Sequence, residues 1–370
     1  YEISLGLVGS EMCIRDRDLL MAVPVDNTTG YSYQFQNFGK TSNRGIELSV
    51  NVDVINKGDF RFNVGAIYNY NRNKLDELPN ADQYLYSSYW GSSSLVPTND
   101  YMFVEGKAIG LVRGFISEGY YTVDDFNYTN GQYVLKEGVP DITKALTATY
   151  MHPYDLPAGQ TAFPGAAKFR DVDESGTVDL DDATCLGEVM PRHTGSFQLN
   201  FNYKNFDLST NFNWTAGGKV YNVAAMINAS GQEFDGIGAQ RASWVADAFK
   251  VYNVNAAGDL YAVTNPDELR ALNANAKYHL PYHQSGITSS EWLENGSYLR
   301  LQTLTLGYTL PKNWLTKVHV DKIRLYLTAT NLFTITGYSG IDPEVNANPT
   351  GQSGFYSDLR IFPTLNMDFG

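Results

Sequence analysis

An all-β chain of about eight antiparallel strands is predicted by three features of this sequence. Tyr, Phe and Trp number 26, 19 and 5, so 14% of the 370 residues are aromatic, while only 18% are charged and Gly reaches 33. That balance suits pleated, half-buried surfaces and is poor in helix formers. Several segments alternate apolar and polar side chains with the period of two that a strand imposes. The connections between them alternate between short and long.

In chain order, Asp18 to Val25 reads as the remainder of a strand. Gly45 to Ile55 follows, with Ile46, Leu48, Val50 and Val52 on one face and Glu47, Ser49, Asn51 and Asp53 on the other. The turn Asn56-Lys57-Gly58-Asp59 sends the chain back through Phe60 to Arg72. The clearest periodicity spans Gly195 to Trp214. Phe197, Leu199, Phe201 and Tyr203 alternate with Gln198, Asn200 and Asn202, and after Lys204-Asn205 the residues Phe206, Leu208, Thr210, Phe212 and Trp214 share a face. Tyr298 to Leu310 places Leu304, Leu306, Tyr308 and Leu310 together, and Lys322 to Thr334 does so with Ile323, Leu325, Leu327 and Ala329. Arg360 to Gly370 closes the set through Ile361, Leu365, Met367 and Phe369.

A greasy stripe beside a polar one fits lipid outside and a wet lumen inside. A half-buried hairpin of a soluble sandwich alternates in the same way, so the connections decide. Segments 56–59, 204–205 and 311–321 are short; 26–42, 73–193, 217–296 and 335–357 are long. Short turns on one rim and long loops on the other are the outer-membrane barrel arrangement, with the long set extracellular and the C-terminus periplasmic. Loops of roughly 120 and 80 residues are anomalous in a compact soluble domain. No segment is long and apolar enough to cross a membrane as a helix. Barrel strands escape that test, and the mean hydropathy of −0.30 is compatible with them.

Forty acidic and 27 basic side chains give a net charge of −13, which sets nucleic-acid binding aside. Two cysteines cannot staple the chain, and the five histidines lack transition-metal spacing. Residues 1–17 lack the basic start of a secretory signal. Their string resembles the translation of a sequencing adapter, so they are expected not to be part of the fold, leaving 18–370.

Further motifs carry a family resemblance. They are Thr41-Ser-Asn-Arg-Gly-Ile-Glu-Leu48, Val104-Glu-Gly-Lys107 with Gly110 and Gly114, Lys168-Phe-Arg-Asp171, Gly187 with Pro191, and Tyr203-Lys-Asn-Phe-Asp-Leu208. Most specific is the run from Ser290-Glu-Trp-Leu-Glu-Asn-Gly-Ser-Tyr-Leu-Arg300 to Pro311, continued by Thr330-Asn-Leu-Phe333, Tyr338-Ser-Gly340 and Asp342-Pro-Glu344. From Asp18 to Gly370 the chain resembles the C-terminal part of a SusC/RagA-type TonB-dependent outer-membrane transporter. The resemblance implies a larger, plugged barrel in the outer membrane of a Gram-negative cell, energised through TonB-ExbB-ExbD. It also implies a SusD-like surface lipoprotein as partner and a glycan, oligosaccharide or peptide as cargo. The family's plug and TonB box are expected upstream of Asp18, and Phe369 is expected near the family's terminal aromatic position.

Inside the long excursion 73–193, residues 171–182 fit a calcium loop by count. Asp171, Asp173 and Ser175 take positions 1, 3 and 5, Gly176 the turn at 6, Thr177 the carbonyl position 7 and Asp179 position 9. Position 12 is Asp182 rather than Glu. A structural Ca²⁺ ion is expected there, in an isolated loop without a preceding helix. Tyr84, Tyr86, Tyr89 and Trp90 offer flat faces with polar tips, suited to stacking on sugar rings. Trp244, Val245, Ala248 and Phe249 suggest one short amphipathic helix. The pairs Asp124-Asp125 and Asp181-Asp182 do not supply two carboxyls facing each other across a cleft. With no nucleophile elbow, phosphate loop or dinucleotide fingerprint either, the protein is not expected to be an enzyme. The competing expectation is a secreted β-rich carbohydrate-binding module with a structural calcium loop.

Overall fold

The computed structural model describes residues 10–16, 20–24, 33–37, 39–78, 83–86, 96–146, 152–222, 225–226, 242–280, 287–315, 320–340, 342–344 and 365–366. Its main element is one open antiparallel sheet of eight strands in linear order. These are β1 (Ser10–Asp16), β2 (Lys40–Lys57), β3 (Phe60–Glu77), β4 (His193–Tyr203), β5 (Phe206–Ala216), β6 (Tyr298–Thr309), β7 (Arg324–Thr336) and β8 (Leu365–Asn366). Each strand pairs with its neighbour in sequence, as an up-and-down meander requires.

The three short connections share a rim and hold one another. Lys204 N–H donates to Asp59 O at 3.0 Å, linking the first two turns, and Thr309 N–H donates to Asn205 O at 2.8 Å. The third connection closes with Leu310 N–H on Ile323 O at 2.9 Å and carries the short helix Lys312–Leu315. The long connections leave from the opposite rim.

Two expectations on the strands are corrected. Leu20–Pro24 does not join the main sheet; it pairs with Tyr33–Asn37, inside the expected loop 26–42, in a separate ladder. The neighbour of β2 is instead Ser10–Asp16, with Ser10 opposite Glu47 and Asp16 opposite Thr41. An open sheet edge accepts extended chain through backbone groups alone, so this pairing carries no information about the origin of residues 1–17. Strands β2 and β3 also run further than the alternation suggests, to Lys40 and Glu77. Beyond Tyr70 the side chains Asn71-Arg-Asn-Lys74 lose the pattern while the backbone ladder continues.

The apolar core lies outside the sheet. Phe115, Tyr121, Tyr133, Ile142, Leu146 and Phe163 from the first long excursion pack with Phe249, Val251, Val263, Leu269 and Ile287 from the second. Backbone and side chain join the two: Leu280 N–H to Gly165 O and Phe115 N–H to Thr288 O, both 2.8 Å, and Tyr133 Oη–H to Thr264 O at 2.8 Å. Arg270 of the helix Pro266–Leu272 pairs with Asp124 at 2.8 Å. The two excursions are thus one folded unit. A helix is present at Ala242–Asp247, holding Trp244 and Val245, but Ala248 and Phe249 lie beyond its end, where Phe249 joins the buried core.

Candidate membrane-facing surface and cation loop

The sheet's register converts the alternation into two continuous faces. On one, Ile55, Phe62, Phe201, Leu208, Leu306 and Leu327 line up across six strands. The next row toward the long connections is Val52, Val64, Leu199, Thr210, Leu304 and Ala329. Rings reinforce the rows: Phe62 stacks on Phe201 with centroids 4.3 Å apart, and Phe197 on Phe212 at 4.5 Å. Yet Phe206, Leu325 and Ile335 are 53%, 57% and 62% exposed. An apolar face this wide costs about 25 cal/mol for each Å² left in water and marks an interaction surface.

Aromatic residues border that face at both ends. Phe60, Tyr203, Phe206 and Tyr308 lie beside the short turns, and Tyr68, Tyr70, His193 and Trp214 beside the long connections. Trp214 crosses over Gly195 to stack on Tyr68, with centroids 6.1 Å apart. A Cβ at Gly195 would stand 2.7 Å from the indole, so glycine makes room for it. Tyr68 Oη and His193 Nδ1 are 2.8 Å apart. The belts are eight positions apart on β5, from Phe206 to Trp214. At a rise of about 3.3 Å per residue and a strand tilt of about 40°, this is about 20 Å of height, close to the apolar band of an outer-membrane barrel.

The opposite face is polar and bonded to itself. Asn63 Nδ2 donates to Asn51 at 2.7 Å and Asp53 at 2.9 Å, Ser209 Oγ donates to Asn200 at 2.6 Å, and Thr305 and Thr328 hydroxyls meet at 3.0 Å. Gln302 is the extra residue of a bulge in β6 and accepts from Asn211 at 3.2 Å and Asn213 at 2.7 Å. The bulge resets parity, so Leu299 and Leu301 join Leu304, Leu306 and Tyr308 on the apolar face. The switch from odd to even apolar positions across Gln302 is the sequence signal for it.

In the cation loop, carboxylate oxygens of Asp171, Asp173 and Asp182 lie within 4.8 Å of one another. Gly176 at φ 86° makes the sharp turn expected at position 6. Gly176 N–H bonds Asp171 Oδ2 at 2.7 Å, and Ser175 N–H bonds Asp171 Oδ1 and Asp173 Oδ1 at 3.1 and 3.0 Å. The Ser175 hydroxyl, followed by its backbone N–H, holds the Asp173 carboxyl below its ordinary range. Ser175 Oγ donates to Thr177 O at 3.0 Å, which brings positions 5 and 7 side by side. Asp182 is fully buried; Oδ1 accepts from Val172 at 2.5 Å and Asp173 at 3.3 Å, and Oδ2 from Asp179 at 2.8 Å. Asp179 is turned aside as the cap of the turn Leu180–Asp182, accepting from Asp181 N–H at 2.8 Å. Asp171, Asp173 and Asp182 therefore converge, whereas the Asp179 carboxyl is engaged elsewhere.

The backbones of Tyr84 and Tyr86 belong to the short strand Gln83–Tyr86, opposite Phe103 and Tyr101. Their side chains, and all of Tyr89 and Trp90, lie outside the described residues. Asp124 and Asp125 serve different partners, Asp124 meeting Arg270 and Asp125 meeting Lys168 at 2.8 Å. Burial alone would raise Asp125, but Lys168 and Thr122 overcome it and hold the carboxyl below its ordinary range.

An antiparallel meander with one apolar face between aromatic belts, one hydrogen-bonded polar face and every long connection on one rim defines part of an outer-membrane β-barrel. Among the described residues the sheet is open, with β1 and β8 at its edges. No family model matches the chain. It is similar, at 29% identity over 367 residues, to the TonB-dependent receptor P3 of Formosa agariphila, covering 96% of this chain and 31% of that protein. It is also 25% identical over 346 residues to the TonB-dependent receptor SusC of Bacteroides thetaiotaomicron, covering 90% of this chain and 27% of SusC. Among solved structures the RagAB peptide transporter matches 91% of this chain and 30% of its own, at a TM-score of 0.60 and 21% identity. The resemblance to SusC/RagA-type TonB-dependent receptors thus holds along nearly all of this chain, and the fold is that of part of their barrel. The chain spans about a third of the length of the curated relatives it matches. None of these proteins is named for a catalytic activity.

Proposed function

We propose that this chain is the C-terminal barrel portion of a SusC-like outer-membrane importer, which carries glycans, oligosaccharides or peptides inward on energy delivered by TonB-ExbB-ExbD. The observation that carries this reading is the uncovered apolar face set between two aromatic belts. The long connections face outward, the short turns and C-terminus lie on the periplasmic side, and a SusD-like lipoprotein covers the outer mouth. A similar solved structure, that of a peptide transporter, and a relative named TonB-dependent receptor SusC support import as the role. Expressed alone, the protein is expected to need detergent to remain dispersed and folded. A monomer folded in plain buffer would overturn this reading and favour a secreted carbohydrate-binding module.

Loop 171–182 supports a second element of the proposal, a structural Ca²⁺ ion. Hard oxygen donors at alternating positions are what that ion selects. Asp171, Asp173 and Asp182, with the Ser175 hydroxyl and the Thr177 carbonyl, would hold it, and Asp179 would contribute only through water. Bound there, the ion would neutralise converging carboxylates and pin the first excursion.

A further inference from the structure

Positive charge gathers directly beyond the aromatic belt on the long-connection rim. Arg44 and Arg72 stand opposite each other on β2 and β3, one row past Ile46 and Tyr70. Like charges opposed in a ladder repel, and among the described residues neither forms an ion pair, although nearby cations do. The neighbour of β3 changes here. Asn71 N–H bonds Arg192 O at 2.9 Å, and Leu75 N–H bonds Lys107 O at 2.9 Å. Beside those two bonds lies a cavity of about 200 Å³ lined by Arg72, Lys74, Lys107, Arg192 and Glu188, and by Asn73, whose Oδ1 accepts from Ile109 N–H at 2.9 Å. Glu188 is engaged by Arg192, and Asp76 lies 3.3 Å from Lys74. Five cations therefore face two carboxylates, on a chain whose net charge is −13.

Height fixes what this patch meets. Tyr68, Tyr70, His193 and Trp214 mark the edge of the hydrocarbon, where amphipathic rings settle. Arg72 is two residues past Tyr70, about 7 Å further along the strand, at the level of lipid headgroups. Basic pockets at that level take phosphorylated headgroups, and the guanidinium fork matches phosphate oxygens.

We propose that the cleft and its Arg44–Arg72 flank bind the phosphates of a glycolipid in the outer leaflet. The inference rests on the membrane reading above and adds to it a specific lipid contact. The test measures binding of lipopolysaccharide to the detergent-folded chain, with its lipid A phosphates intact or removed by phosphatase. Arg44→Gln/Arg72→Gln/Lys107→Gln is expected to weaken binding of the phosphorylated form at least about tenfold, with no change toward the dephosphorylated form. Lys57→Gln/Lys204→Gln, on the opposite rim, is expected to bind as the unmodified protein does. Equal binding of both forms by the unmodified protein, or an unimpaired triple variant, overturns the proposal. Displacement by micromolar inorganic phosphate also overturns it, because it marks a free-anion site. A chain folded and monomeric without detergent removes the membrane reading and this inference together; a detergent-requiring chain indifferent to lipid phosphates removes this inference alone.

Discussion

Arg300 of β6 and Asp342, in the segment beyond β7, form a buried ion pair in which Nη2 donates to Oδ1 at 2.5 Å, with side chains 8% and 15% exposed. The same guanidinium binds Glu344 and, through Nε, Thr334 Oγ1 at 3.0 Å. One side chain thus fastens the Asp342-Pro-Glu344 turn onto adjacent strands. Removing one partner of a buried pair leaves the other uncompensated. Asp342→Asn is expected to lower stability by about 1–3 kcal/mol and to speed amide exchange through 337–340, both readable by exchange mass spectrometry under denaturant.

The two faces of the sheet make opposite demands on a new charge. Leu199 lies midway between the belts, opposite Val64 and Thr210, and Asn200 is its neighbour on the polar face. Leu199→Arg is expected to cost about 2–4 kcal/mol in lipid vesicles, while Asn200→Arg costs far less. Urea titration of the vesicle-embedded protein measures both, and equal costs would contradict a lipid-facing stripe.

For the cation loop, Asp173→Ala is the cleaner variant, because Asp182 anchors three backbone N–H groups whether or not an ion binds. Calcium is expected to raise the melting temperature of the unmodified protein. In Asp173→Ala that rise should vanish while melting in chelator stays near the unmodified value. A curve that calcium leaves unmoved rejects the site.

Glu291 supplies a pH signature. Burial pushes its carboxyl above the ordinary value of 4.5, and His279, with Nε2 3.7 Å from the carboxylate, offsets this only in part. The folded state therefore holds this proton more tightly than the unfolded chain, so stability falls as pH rises from about 4.5 through the raised folded value. Glu291→Gln has no such proton to release. Melting across this window should decline for the unmodified protein relative to the variant, which should be at least as stable at neutral pH.

Gly165 marks the seam between the excursions. It adopts φ 95°, and a Cβ would stand 2.4 Å from the Phe249 ring, which belongs to the other excursion. Gly165→Ala combines left-handed strain with overpacking and is expected to cost about 2–4 kcal/mol. Protease sensitivity of both excursions together, rather than of one, would register the coupling.

Much of this architecture is written in local pattern. The hairpin of β4 and β5 follows from Phe197 to Trp214, because every second residue must share a face. Ser10–Asp16 and the polar extension Asn71–Glu77 lack the long apolar stripe of the hairpin, so their pairing is not announced by alternation. The loop core is not legible in local pattern, because Phe115, Tyr133 and Phe249 sit in or beside very short strands and turns whose stability comes from distant partners. The convergence of Asp171, Asp173 and Asp182 is legible because the three lie within twelve residues of one another. Arg44, Arg72, Lys107 and Arg192 are far apart in the chain, and only the register of β2 and β3 and the cavity beside β3 unite them.

The shared core of the excursions has a consequence for assembly. Its halves flank the β4–β5 hairpin in the chain, so closing that hairpin shortens the effective loop between Phe163 and Phe249 before either can bury the other. Chain-closure entropy is then expected to order events: the two-residue Lys204-Asn205 turn first, the β4–β5 hairpin next, and the core shared by the two excursions last. A core that condenses late would leave its aromatic side chains uncovered in the meantime, so aggregation is expected to be most pronounced in the interval between hairpin closure and core condensation.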